Sequence, residues 1–184
     1  MAIKQILQST LSGGANDENT MLCQISHPVV IFDKSLSLLI NDLRDTMWAY
    51  PICHGLSAPQ IGVRLAVSVI NFSRSHPSED LVLINPIITN ANKKTSTGKE
   101  SCMSVWGLTG DVERKSRIKI EYQDIFKKNK RAAFEGFFAR LVQHEIDHLN
   151  GILFTEKLVI TSFLTKTDLF DGYNILCKNG LWIT

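Results

Sequence analysis

The sequence predicts an α+β fold, and three patterns predict it. Leu36, Leu39, Ile40, Leu43 and Met47 recur at helical spacing, with Asp33 or Ser35 placed to cap the helix. Ile118, Ile120 and Tyr122 alternate with Lys119 and Glu121, as in a strand with one buried face. A second helical stripe runs through Phe134, Phe137, Phe138, Leu141, Val142 and Leu149.

In chain order, Gly13 to Asn19 reads as a polar, glycine-bearing loop rather than a domain linker. The capped helix follows, and Gly55 to Gly62 then reads as a loop. Leu65 to Phe72 and Leu81 to Thr89 read as strands, with Pro86 marking an edge or a bend. Asn90 to Gly98 reads as a polar loop leading into a strand-like region around Val105. The basic run Lys127 to Arg131 is a solvated hairpin or loop between a strand and a helix, and a ribosomal-RNA contact is the competing reading of it. The second helix is expected to start near Ala132 or Phe134. Near the end, Tyr173 to Cys177 and Leu181 to Ile183 flank Asn179-Gly180, a hairpin signal.

Composition restricts the function classes. A chain of 184 residues with 44% apolar residues suits one domain, residues 1–184, with a sizeable core. A net charge of +2 demands neither a nucleic-acid nor a membrane partner. No stretch has the apolar length of a membrane span, and no signal-peptide core is visible. Four cysteines without dense spacing do not form a disulfide framework, so a reducing cytoplasm is the expected location.

The chemistry concentrates in Gln143-His144-Glu145-Ile146-Asp147-His148-Leu149, which holds His-Glu-x-x-His. On a helix, residues four apart share a face, so both imidazoles can grip one metal. Glu145 then sits where it can take a proton from the water that the metal activates. Phe137, Leu141, His144 and His148 fall on one stripe, and two histidines on an apolar stripe need partners. A further ligand is required, and a cysteine thiolate suits zinc or ferrous iron. Cys102 is a candidate, although seen alone it reads as an ordinary buried cysteine.

Three segments together resemble the peptide deformylase family. Gly55-Leu56-Ser57-Ala58-Pro59-Gln60-Ile61-Gly62 is similar to that family's Gly-x-Gly-Leu-Ala-Ala-x-Gln. Glu100-Ser101-Cys102-Met103-Ser104 is similar to its Glu-Gly-Cys-Leu-Ser. Gln143 to Leu149 fits Gln-His-Glu-x-Asp-His-Leu throughout, and weaker likeness runs from about Pro28 to Leu158. The departures are Cys53 at the first glycine of the first motif, Ser101 before the cysteine and Met103 after it. Cysteine lacks glycine's tolerance for positive φ, so Cys53 narrows the cleft or changes the local turn.

The resemblance implies antiparallel and mixed strands packed around a central helix that carries His-Glu-x-x-His. It also implies removal of the N-formyl group from formyl-methionyl nascent peptides. Cys102, His144 and His148 are then the metal ligands and Glu145 the general base. The Gln60 amide and the Met103 backbone N–H stabilise the oxyanion. Gly55, Leu56, Phe137 and Leu141 shape the substrate pocket. The implied cofactor is one divalent ion, Fe²⁺, with Zn²⁺, Ni²⁺ or Co²⁺ as replacements. The implied partners are formyl-methionyl peptides; the ribosome enters through the competing reading of the basic run, and the charge balance calls for no membrane and no direct DNA binding. The family pattern further pairs Glu100 with Arg114. Two other readings compete: another metal-dependent amidase or peptidase on the same scaffold, and a non-catalytic homologue that binds nascent chains or ribosomes.

Overall fold

A computed structural model describes residues 2–9, 21–159 and 165–166. The loop at Gly13 to Asn19 and the hairpin around Asn179-Gly180 lie outside the described residues. Helix α1 spans Lys34–Ala49, and Asp33 caps it by accepting from the backbone N–H groups of Ser35 and Leu36. Its buried face is Leu36, Leu39, Ile40, Leu43, Thr46 and Met47, the face that the periodicity picks out plus one hydroxyl. That hydroxyl donates to the Asp42 carbonyl at 2.7 Å and accepts the Lys4 N–H at 2.8 Å, so it is satisfied in the core.

Strands β1 (Gly55–Ser57), β2 (Val67–Ile70), β3 (Leu81–Ala91), β6 (Arg117–Gln123) and β7 (Asn129–Glu135) form one sheet in the order β1-β2-β3-β6-β7. Strands β4 (Thr95–Cys102), β5 (Val105–Lys115) and β8 (Thr165–Lys166) form a second. Every ladder in both sheets is antiparallel. Helix α2 covers Gly136–Leu149.

Alternation along the strands sorts the core into two layers. Leu56, Val67, Val69, Val82 and Ile84 pack with the buried face of α1. Ile70, Leu83, Ile118 and Ile120 pack instead with Ala139, Val142 and Ile146 of α2. A third cluster joins Cys102, Val105 and Val112 to Leu22, Leu153 and Phe154. Helix α2 therefore touches the large sheet through one layer and β5 of the small sheet on another side, as the central helix of an α+β fold.

Four local expectations change. The segment at Gly55 to Gly62 is an edge strand followed by a 3₁₀ turn over Ala58–Ile61, because β1 pairs with β2 residue by residue. Asn90 to Gly98 is mostly strand: β3 runs on to Ala91 and β4 begins at Thr95, so polar residues form exposed ladder positions. Ala132 and Phe134 belong to β7, where they pair with Ile120 and Ile118, and α2 starts at Gly136 with φ +57°. Apolar residues at 132 and 134 fit a two-residue period as well as a helical one, and the neighbouring strand decides between them. The basic run lies on the β6–β7 hairpin, with Lys130 and Arg131 in the strand. The bend at Pro86 is present: the β3–β6 register shifts between Ile84 and Ile87, and Asn85 has φ 51°. The Asn85 amide ties that bend to the backbone of Val29 at 2.7 and 2.8 Å.

Candidate metal centre and active site

Cys102 ends β4, where the register with β5 breaks, so its side chain turns out of the ladder toward α2. His144 and His148, one turn apart on α2, present their rings edge to face at 4.9 Å between centroids. The Cys102 Sγ lies 3.2 Å from His148 Nε2, and the donor atoms of all three residues lie within 4.8 Å of one another. A tetrahedral ion bound at about 2.0–2.3 Å spaces its donors roughly 3.3–3.8 Å apart, so this buried set fits a zinc- or iron-type ion. Polar atoms this close, one sulfur and two imidazoles, have few other uses in a core.

The histidines are held from behind. His144 Nδ1 lies 3.0 Å from Glu100 Oε2, which turns the other ring nitrogen toward the cluster. Glu100 and Arg114 form the expected bidentate pair, Nε to Oε1 and Nη2 to Oε2, both at 2.8 Å. Arg114 also donates to Asp147, the residue before His148. Arg140 adds a bond to Glu100 Oε1 at 2.8 Å and bonds to the carbonyls of Gly98, Val112 and Ser96. Burial opposes the Glu100 charge, but the bonds from Arg114 and His144 outweigh it and hold the carboxyl well below its usual range. Arg114→Ala is expected to destabilise the fold by on the order of 3 kcal/mol, since it leaves buried carboxylates short of a counter-charge. It should also weaken metal retention about 10–100-fold. Thermal melting and metal content after dialysis check this, and wild-type values for both would mean that the pair does not support the centre.

Glu145 is buried beside the cluster. The Ser57 hydroxyl lies 2.6 Å from Glu145 Oε2. Burial raises the Glu145 pKa, and His144 and the Ser57 bond pull it part of the way back. Gly55 sits against the same carboxylate: a Cβ there would lie 2.5 Å from Glu145 Oε1 and 2.8 Å from its Cδ. The space that this glycine leaves is filled by Glu145. Gly55→Ala is expected to displace the carboxylate and lower turnover at least about tenfold, the scale of small misplacements at a reacting group. Unchanged turnover in that variant would show that the carboxylate moves aside freely.

Gln60 is buried in the 3₁₀ turn rather than exposed on the surface. Its Oε1 accepts the Ser57 N–H at 2.8 Å, which fixes the amide orientation. Its Nε2 then points to Cys102 Sγ at 3.6 Å and Ser104 Oγ at 3.2 Å. A cavity of about 160 Å³ opens on these groups. Gln60, Gly55, Met103, Phe137, Leu141 and Glu145 line it, together with Cys102 and His144. Leu56 does not line it. Side chains alternate along β1, so Leu56 enters the α1 layer while Gly55 and Ser57 face α2. Cys53 does line it, with its Sγ 3.1 Å from the Gly55 carbonyl, and burial pushes its thiol pKa up, which makes it a neutral wall. Phe137 is 56% exposed at the mouth, edge-on to His54.

Sequence reasoning did not single out Ser57, Arg140 or Asp147. Ser57 stands where the quoted motif has alanine, a signal that was readable. Arg140 lies four residues before His144, on the same helix face, and that spacing also pointed to it.

A His-Glu-x-x-His helix beside a buried thiol places the chain among metal-dependent hydrolases. The family model described as polypeptide deformylase matches residues 15–162, and the chain belongs to that family. It is 41% identical over 144 residues to a peptide deformylase of Helicobacter pylori, covering 76% of this chain and 81% of that one. It is 36% identical over 156 residues to a peptide deformylase of Prochlorococcus marinus, covering 84% and 77%. Among solved structures, a peptide deformylase from Legionella pneumophila matches with a TM-score of 0.76 at 39% identity, covering 86% of this chain and 88% of that one. The enzyme removes the N-formyl group from formyl-methionyl nascent polypeptides in a metal-dependent hydrolysis.

Proposed function

We propose that Cys102, His144 and His148 hold the metal and that Glu145 is the general base of the deformylation. The observation that carries this is the convergence of one sulfur and two imidazole nitrogens within 4.8 Å, beside a buried carboxylate and at a cavity. When bound, a metal there would supply Lewis acidity and make water a nucleophile available near neutral pH. Glu145 takes the proton from the attacking water and delivers it to the leaving amine, acting as base and then as acid. Burial raises the proton affinity of its carboxyl, and His144 and the Ser57 bond oppose that rise. Negative charge develops on the formyl oxygen, and the Gln60 amide and the Met103 backbone N–H stabilise it. Gln60 is already oriented for this by Ser57 and Ser104. Phe137 and Leu141 wall the space for the methionine side chain, with Gly55 at its edge.

The ion we assign is Fe²⁺: a thiolate and two imidazoles suit ferrous iron and zinc alike, and it is the family resemblance that favours iron. Residues 1–184 act as one catalytic domain in the cytoplasm on nascent chains, and the basic hairpin at Lys127 to Arg131 is a solvated face, with Lys130 and Arg131 paired to Asp124 and Glu121. Among the described residues no helix is long and apolar enough to cross a membrane. The test is formate release from formyl-methionyl peptides by freshly purified, metal-analysed protein handled without oxygen. The iron form should lose activity in air, because ferrous iron and its thiolate are oxidisable. Equal turnover before and after exposure would count against iron. Cleavage of internal peptide bonds without formate release would favour the amidase or peptidase reading.

A further inference from the structure

Two buried serines outside the family motif's chemistry meet the base. Ser57 and Ser68 are paired across the β1–β2 ladder, and both are fully buried. Their hydroxyl oxygens lie 2.7 Å apart. Ser57 Oγ lies 2.6 Å from Glu145 Oε2 and 3.2 Å from the Glu145 carbonyl. A carboxylate can only accept, so the Ser57 proton belongs on the short bond to Oε2, and the Ser68 hydroxyl then donates to Ser57 Oγ. The other carboxylate oxygen, Oε1, lies in the space left by Gly55 at the cavity wall.

We propose that Ser57, oriented by Ser68, is a positioning residue for Glu145: it anchors one carboxylate oxygen and leaves the other aimed at the reaction. The inference rests on Glu145 being the base. Gly55 and Ser57 are two apart on an edge strand, so both face α2, and together they form a cradle, one by absence of a side chain and the other by a donor. Hydrogen bonds to a carboxylate are short and about twice as strong as neutral ones, and 2.6 Å is in that range. Both serines are shut off from solvent, so bulk water does not replace a lost donor. The quoted family motif has alanine at position 57, so the serine hydroxyl is not part of that motif's pattern.

The experiment measures kcat, KM and metal content for Ser57→Ala, Ser68→Ala and the double variant on a formyl-methionyl tripeptide, with Glu145→Gln alongside. Ser57→Ala should lower kcat about tenfold, the loss expected from a misplaced base, with KM and metal content unchanged. Ser68→Ala should lower kcat less, and the double variant should match Ser57→Ala, because Ser68 acts only through Ser57. A kcat for Ser57→Ala within twofold of wild type, a change confined to KM, or additive losses in the double variant would overturn the proposal. If Glu145→Gln also kept native turnover, the base assignment itself would fall. A large loss in Glu145→Gln without one in Ser57→Ala would remove the serine anchor alone.

Discussion

Glu145→Gln should keep its metal and lose turnover by at least about 100-fold, the lower end of what a positioned general base contributes. The substitution preserves shape. The glutamine carbonyl oxygen can still accept from Ser57, and the amide fits the cradle left by Gly55. What it removes is basicity, since an amide neither takes a proton from water nor returns one to the amine. The measurement is formate released per metal-loaded site. Near-native turnover would remove Glu145 from the mechanism.

Cys102→Ala and His148→Ala should fail differently: the metal is lost first, and activity with it. Loss of a partner behind a ligand already lowers metal affinity about 10–100-fold, so loss of a donor atom should exceed roughly 100-fold. The two variants remove opposite ends of the 3.2 Å contact between Sγ and Nε2, one from the end of β4 and one from α2. Cys102→Ala also strips Gln60 Nε2 of one of its acceptors, although Ser104 Oγ at 3.2 Å remains. Metal content after dialysis against a weak chelator, set beside thermal stability, separates ligand loss from unfolding. Full occupancy in a folded variant would show that the donor set is assigned wrongly. The contrast with Glu145→Gln, metal retained and turnover lost, is what distinguishes a base from a ligand.

Much of this centre was legible without coordinates, because helical geometry is local. Four residues on a helix are one turn, so His144 and His148 share a face wherever the helix lies. The same locality made the buried face of α1 and its Asp33 cap readable. The Glu100–Arg114 pair came from the family pattern, and the β4–β5 ladder explains it: Glu100 pairs with Gly110 and Arg114 with Ser96, four residues along, a separation that long side chains span.

What sequence could not supply are the meetings between elements distant along the chain. Ala132 and Phe134 satisfy both periodicities, so sequence places the start of α2 too early, and only pairing with Ile120 and Ile118 makes them strand. Leu56 left the pocket because β1 pairs with β2 in a register that turns it toward α1. Ser57 and Ser68 are unremarkable polar residues until an antiparallel pairing puts them side by side against α2. Local spacing determined the face that His144 and His148 share, the place of Glu145 beside them and the buried stripe of α1, since those depend on neighbours within a turn or two, whereas Cys102 entered as a ligand only through the family resemblance. Register and layer packing decided what surrounds Glu145 and which side chains face the cavity. Such contacts arise from burial against partners tens of residues away, and no local pattern encodes them.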